Sequence, residues 1–294
     1  MRLRTLPLSL SGVLLGIMLA CADGAPVNVP VIVFIILTTL SLQILSNLSN
    51  ELGDFLSGTD GEDRKGPRYA LQDGDLSLRS FKTLIFIFVV LCCVFGLAMT
   101  WFSFGTVLEI EPLMILLLGV FAIRAAMKYT LGKNPYGYRG LGDVFVFTFF
   151  GLVSVLGAFF MLRHVIPSWK FLLPAASIGF FSVGVLNVNN IRDMESDAGT
   201  RVTLPLKIGE RNAKIYHTFL ILAAWACMIA FTLMVIADPL HWLYMVILPL
   251  HLLHIAGVWK KQGRELDSEL PRLVMSTFFF SILCGLGFMA FLWQ

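Results

Sequence analysis

Apolar residues run through this chain in nine blocks, each bounded by charge, Gly, Pro or Asn. The blocks are continuous rather than alternating with period two, which predicts helices and not the strands of a β-barrel. Their limits are Leu6 to Cys21, Val29 to Ser46, Phe81 to Phe102, Leu113 to Met127, Val144 to Leu162, Phe171 to Leu186, Ile215 to Ala237, Leu240 to Val258 and Leu273 to Trp293. Most approach the roughly 20 residues that cross a hydrocarbon core. The expected fold is an all-α, polytopic membrane protein with nine transmembrane helices in one domain spanning residues 1–294. No Gly/Ser linker or low-complexity segment divides it.

Composition supports this reading. Hydrophobic residues make up 57% of the 294 positions and charged residues 14%, against about 25% charged in a typical soluble domain; mean hydropathy is +0.81. The net charge of +3 matters less than its placement. With the N-terminus in the cytoplasm, nine spans put 20 of the 22 Lys and Arg residues on the inner side, leaving only Arg163 and Lys170 outside. That asymmetry is the positive-inside rule, and it places the C-terminus outside. Nucleic acid is not indicated as a partner. The five cysteines lie in or beside apolar runs without CxxC spacing and read as packing residues. Arg2 and Arg4 ahead of an apolar stretch resemble a signal peptide, but the polytopic remainder favours an uncleaved first span.

The charged connections that matter are on the inner side. In the first, Asn47, Asn50 or Glu51, and Asp54 fall at i, i+3, i+4 and i+7. If the second helix persists, one face turns from apolar to amide and carboxylate as it leaves the bilayer. In the second, Asn189, Asp193 and Asp197 lie four apart, again at an inner helix end. The two faces recur about 140 residues apart, each after an even-numbered span. This suggests a weak repeat of two four-helix halves plus a ninth helix, with the acidic faces opposed across a central cavity. Opposed carboxylates repel unless cations sit between them. Oxygen ligands of this kind suit Mg²⁺, which takes one or two carboxylates together with substrate phosphates.

Cations and aromatics flank these faces. Lys128, Arg139, Arg192 and Arg201 are the candidates to neutralise a diphosphate. Tyr129, Tyr136 and Tyr138 occupy a glycine-rich loop and could stack on a flat substrate. Plainer readings compete: helix ends are commonly polar, single cations serve topology, and tyrosines anchor at the interface. Two matching faces, each with amide partners and a nearby cation, favour a metal–diphosphate site. The five histidines, including His251 and His254 on the eighth span, share no spacing with the acidic faces and read as packing or hydrogen bonding.

The pairing of Asn50-x3-Asp54 with Asp193-x3-Asp197 in nine helices resembles the UbiA superfamily of intramembrane aromatic prenyltransferases. Gln43-Ile-Leu-Ser-Asn-Leu-Ser-Asn-Glu-Leu-Gly-Asp54, the Gly58-x-Asp60 step, Tyr136-Gly-Tyr-Arg-Gly-Leu-Gly-Asp143 and Asn189-Asn-Ile-Arg-Asp193 are similar in particular to its 1,4-dihydroxy-2-naphthoate branch. The superfamily pattern NDxxDxxxD is altered here: Glu51 follows Asn50, and Gly58 stands at the third acidic position with Asp60 two residues on. That branch resembles the shifted spacing.

The resemblance implies a polyprenyl diphosphate donor whose tail lies in a groove open to membrane lipid, and two Mg²⁺ ions at its headgroup. Asn50, Asp54 and Asp60 would form one cluster and Asn189, Asp193 and Asp197 the other, with Glu51 and Asp63 as weaker extensions. Asn50, Asp54, Asp60, Asp193 and Asp197 are thereby the expected catalytic set. Tyr138 and Asp143 are expected to orient the acceptor. The implied reaction prenylates 1,4-dihydroxy-2-naphthoate with loss of diphosphate and CO₂, giving demethylmenaquinol at the inner membrane. Another acceptor, 4-hydroxybenzoate or haem, stays open within the superfamily. Outside it, a cation-coupled transporter would also use membrane carboxylates, though near the bilayer midplane. Reporter fusions test the orientation: alkaline phosphatase, active only outside the cytoplasm, should be active after Pro167 and inactive after Asn134, and the reverse pattern would invert the topology.

Overall fold

The computed structural model of this protein describes residues 3–57, 71, 76–199, 201–235 and 238–290. Among these residues every extended element is helical, and nine apolar helices run in chain order. They are α1 (Leu6–Ala22), α2 (Val29–Ser57), α3 (Leu78–Phe104), α4 (Ile110–Lys128), α5 (Gly142–Arg163), α6 (Trp169–Arg192), α7 (Glu210–Met234), α8 (Pro239–Lys260) and α9 (Gly263–Met289). Eight have between 19 and 29 residues and are apolar enough to cross a membrane; α1 has 17. At 1.5 Å per residue, 19 residues rise roughly 29 Å, close to the hydrocarbon thickness. The chain is a multi-pass membrane protein.

Each apolar block became a helix, yet several helices outrun their blocks. α2 continues from Ser46 to Ser57 and α6 from Leu186 to Arg192, while α7 and α9 begin earlier, at Glu210 and Gly263. An apolar window reports solvent preference, whereas the backbone ladder continues into polar turns at no cost. The expected ends at Ala237 and Trp293, and the Gly58-x-Asp60 step, lie outside the described residues. Ends that are described carry recognisable caps. Ser77 accepts from the Ser80 amide at 3.1 Å at the start of α3, and Gly105 closes that helix with φ of 70°. His164 ends α5 with φ of 54°, held by Ser103 Oγ at 2.9 Å and stacked on Phe104.

Packing follows the two-half arrangement. α2 pairs with α3 and α6 with α7, the same positions in each half, while α1 packs on α5 and α9, and α9 also covers α6 and α8. Phe159, Phe181, Phe231 and Phe280 are fully buried in the larger core. A smaller one joins Leu45, Leu48 and Leu52 of α2 to Phe81 and Ile85 of α3. Phe86, Val94 and Trp101 of α3 and Met114, Leu117 and Phe121 of α4 point outward. In a bilayer these faces meet lipid rather than water.

Two features depart from regular helix packing. Residues Phe147–Val153 of α5 form a π-helical stretch, and Gly151 within it crosses Gly179 of α6 so closely that a Cβ at Gly151 would lie 2.6 Å from the Ala175 carbonyl oxygen. Such stretches reposition side chains and are frequent at functional sites. α7, α8 and α9 are joined by a buried polar network around Glu269. Glu269 accepts from Lys261 Nζ at 2.6 Å and Arg272 Nη1 at 2.9 Å. His254 Nδ1 lies 3.1 Å from its other oxygen, and His254 Nε2 lies 2.9 Å from His217 Nε2. The histidines therefore serve helix association, as read from the sequence.

The Gly179 crossing is directly testable. A Cβ there would meet the Phe147 ring at 2.7 Å, whereas Gly96 on α3 has nothing within 4 Å. Gly179→Leu should lower the melting temperature of the detergent-solubilised protein by several degrees, an overpacking cost of about 1–3 kcal/mol; Gly96→Leu should leave it unchanged, and equal effects would contradict the close approach.

Candidate active site

The polar extension of α2 brings Gln43, Asn47, Asn50 and Asp54 onto the wall of one cavity. Spacings of four and three residues keep them on one helical face. The segment after α4 closes against that face. Thr130 donates to the Ser49 carbonyl at 2.8 Å and to Asn50 Oδ1 at 3.2 Å. Gly53 permits the contact, since a Cβ there would lie 2.5 Å from that of Thr130.

On the other side α6 ends at Arg192, yet its hydrogen-bond spacing carries on through a short helix, Met194–Asp197. The Asp193 amide donates to Asn189, that of Asp197 to Asp193 and that of Arg201 to Asp197. Asn189, Asp193, Asp197 and Arg201 are thus spaced by one turn each, through a break in the regular helix at Asp193.

The two faces meet at a single guanidinium. Arg201 Nη2 donates to Asp54 Oδ1 at 2.7 Å, and its Nε forms an ion pair with Asp197 Oδ1 at 3.2 Å. Asp54 and Asp197 are both buried, 1% and 4% exposed, so each carboxylate requires a close cation. Burial opposes the charge on Arg201, but the carboxylates of Asp54 and Asp197 hold its pKa above the ordinary guanidinium value. Tyr138 completes the cluster. Its hydroxyl donates to Asp54 Oδ1 at 2.8 Å, and its ring lies 4.9 Å beneath the Arg201 guanidinium. A bridge between Arg139 and Val202, with the Val202 amide donating to the Tyr138 carbonyl at 3.0 Å, ties the loop after α4 to the segment after α6.

A second arginine organises the Asp193 side. Arg192 grips Asp193 with two nitrogens at 2.8 and 2.7 Å, donates to Asn189 Oδ1 at 2.9 Å and reaches Asp267 Oδ1 at 2.7 Å. Asp267, in the first turns of α9, also accepts from Arg4 Nη1 at 3.1 Å. Below this polar mouth the cavity, of about 380 Å³, continues between apolar side chains such as Ile35, Met99, Leu118 and Val153. Tyr136 stacks on Phe145 at 3.8 Å, and Phe145 on Phe149, along one wall.

The candidates divide accordingly. Asn50, Asp54, Asn189, Arg192 and Arg201 line the cavity, with Asp193 paired to Arg192 and Asp197 to Arg201. Lys128 and Arg139 are exposed and do not line it. Tyr138 belongs to the Asp54 cluster. Asp143 accepts from Tyr216 at 3.0 Å and is not part of the cavity wall. Glu51 is buried and accepts from the Leu71 amide at 3.3 Å. Asp60 and Asp63 lie outside the described residues. Arg4, Asp267 and Gln43 were not among the candidates: Arg4 had counted only towards topology and Asp267 lies in no acidic motif.

Among the described residues no three acidic, histidine or cysteine side chains gather closely enough to hold a metal unaided. The donor set still fits one. Carboxylates of Asp54 and Asp197 converge on one cation, and a hard divalent ion takes few carboxylates when substrate phosphates supply the remaining oxygens.

A greasy cavity inside a helical bundle, with two acidic faces meeting at one end, is the arrangement of an intramembrane enzyme. The comparisons agree: the model of the UbiA prenyltransferase family matches residues 9–283, and the chain belongs to that family. It is 36% identical over 278 residues to the 1,4-dihydroxy-2-naphthoate octaprenyltransferase of Escherichia coli (strain K12), covering 94% of this chain and 86% of that protein. A protein of the same name from Haemophilus influenzae is 35% identical over 289 residues, 97% and 93% of the two chains. The fold matches the apo structure of a UbiA homolog from Aeropyrum pernix K1 with a TM-score of 0.72, at 15% identity and 99% coverage of both chains.

Burial, and next the Asp54 carboxylate, push the Tyr138 hydroxyl up to about 12 from its usual 10. The folded state binds this proton more tightly than the unfolded chain. Its stabilisation is therefore complete below pH 10 and is lost as pH rises towards 12. Tyr138→Phe, which removes one donor to a buried carboxylate, should lower activity about tenfold at every pH from 6 to 9; a loss that varies with pH across that range would contradict a permanently protonated donor.

Proposed function

We propose that this protein transfers a polyprenyl group from polyprenyl diphosphate to 1,4-dihydroxy-2-naphthoate, releasing diphosphate and CO₂ and giving demethylmenaquinol for menaquinone biosynthesis. The observation that carries the reading is the convergence of Asp54 and Asp197 on one buried cation at the polar end of an otherwise apolar cavity. The names and coverage of the relatives support the choice of acceptor. The protein works in the inner membrane with its N-terminus and polar mouth towards the cytoplasm.

Asn50 and Asp54 on one face and Asn189, Asp193 and Asp197 on the other would hold two Mg²⁺ ions, with Asp60, outside the described residues, as the further ligand expected from the sequence. When bound, these supply positive charge where the diphosphate leaves. The chain's own groups do the rest. Arg201 and Arg192 add fixed positive charge at the mouth, so the allylic C–O bond can break with its electron pair passing to the departing diphosphate. The apolar wall keeps water from the resulting allylic cation. The acceptor's ring carbon that bears the carboxylate attacks it, forming the new C–C bond, and the bond to the carboxylate then breaks, its electron pair restoring the aromatic ring as CO₂ leaves. Membrane lipid provides the medium from which the prenyl tail reaches the cavity.

Purified protein in detergent should form the prenylated product and CO₂ from the naphthoate when Mg²⁺ is present and not after chelation. Asp54→Ala and Asp193→Ala should abolish transfer while membrane insertion persists. Product with 4-hydroxybenzoate alone would reassign the acceptor, and ion-driven vesicle uptake without transfer would replace the reading by a transporter.

A further inference from the structure

Three arginines line the cavity, and they are engaged very differently. Arg201 is committed to Asp54 and Asp197. Arg192 spends Nε, Nη1 and Nη2 on Asp193, Asp267 and Asn189 and is 4% exposed. Arg4 touches only Asp267 among the described residues, and only through Nη1. Its side chain is 38% exposed, so Nε and Nη2 remain for a ligand.

Arg4 stands beside an amide-rich lip. Thr5 Oγ1 accepts from Gln43 Nε2 at 3.0 Å and from Asn47 Nδ2 at 3.4 Å, and Arg4, Thr5, Gln43 and Asn47 all line the cavity. Asp267 pins Arg4 to the same carboxylate that orients Arg192. The guanidinium is thereby held at the mouth, apart from the Asp54–Arg201–Asp197 cluster.

We propose that Arg4, held by Asp267, recognises the carboxylate of the aromatic acid acceptor. The inference rests on the acceptor class given above. An aromatic acid entering an apolar cavity must keep its carboxylate paired, because an unpaired charge there is costly. A guanidinium fork matches a carboxylate in geometry as well as charge. Every nitrogen of Arg192 is engaged, and the donors that Arg201 keeps, its Nε among them, sit between Asp54 and Asp197, whose charge repels a third carboxylate; Arg4 faces one carboxylate among the described residues and is the most exposed of the three. Tyr138 and Asp143, the residues expected from the sequence to orient the acceptor, donate to Asp54 and accept from Tyr216 respectively, and neither supplies a cation for a carboxylate.

The test compares 1-hydroxy-2-naphthoate with 1-naphthol, which lacks the carboxylate, as quenchers of tryptophan fluorescence in detergent-solubilised protein. The wild type should bind the acid more tightly, and Arg4→Gln should weaken acid binding about tenfold or more while naphthol binding changes less than twofold. Arg4→Lys keeps the inner positive charge needed for topology but loses the fork, and it should show most of the same loss if Arg4→Gln fails to insert. Equal changes for both ligands, or no change for the acid, would overturn the proposal. Wild-type protein that discriminates the acid but transfers no prenyl group would sink the proposed reaction and leave this inference standing.

Discussion

The architecture depends on how two buried carboxylates are kept from repelling each other. Asp54 arrives on α2 and Asp197 on the short helix after α6, and Arg201 lies between them. Without a cation Asp54 and Asp197 would drive the end of α2 and the short helix after α6 apart, since neither carboxylate reaches enough water to be screened. With one, these two elements are held together, and the Tyr138 hydrogen bond to Asp54 and the Arg139–Val202 bridge add to the contact. The proposed reaction would use the same convergence, because two acidic faces that demand positive charge between them suit divalent cations carrying a polyanionic headgroup.

Beneath that mouth the physical problem is reversed. The helices need no polar groups along the cavity, and the apolar wall continues the bilayer's own solvent into the protein. α3 and α4 turn apolar side chains outward to lipid and carry few buried ones of their own. The donor's tail and the reactive cation both belong in such a medium, the first for solubility and the second because water would consume it. The π-helical stretch of α5 and the Gly151–Gly179 crossing bring Phe149 and Phe150 to this wall.

The third part of the frame is the α7–α8–α9 group. Glu269 gathers Lys261, Arg272 and His254, and through His254 it meets His217. Two residues before Glu269, Asp267 links Arg192 with Arg4. A buried network that fixes the first turns of α9 therefore also fixes the carboxylate on which both arginines rest. Helices that contribute little to the cavity wall set the position of side chains that do.

Hydrophobic blocks and one-turn spacings are local properties, so the fold class, the nine apolar blocks that become helices among the described residues and the two acidic faces are legible along the chain. Asn50 with Asp54 and Asn189 with Asp193 and Asp197 could be placed on common faces before any tertiary contact was known. Helix ends were less legible: the polar turns that carry α2 to Ser57 leave no hydrophobic signature. Which cation serves which carboxylate was decided only in three dimensions. Arg201 meets Asp54 across 147 positions and Arg4 meets Asp267 across 263, while Lys128 and Arg139, similar candidates by composition, stay at the surface. An ion pair depends on distances of a few ångströms between helices far apart in the chain, and no periodicity along one segment encodes them.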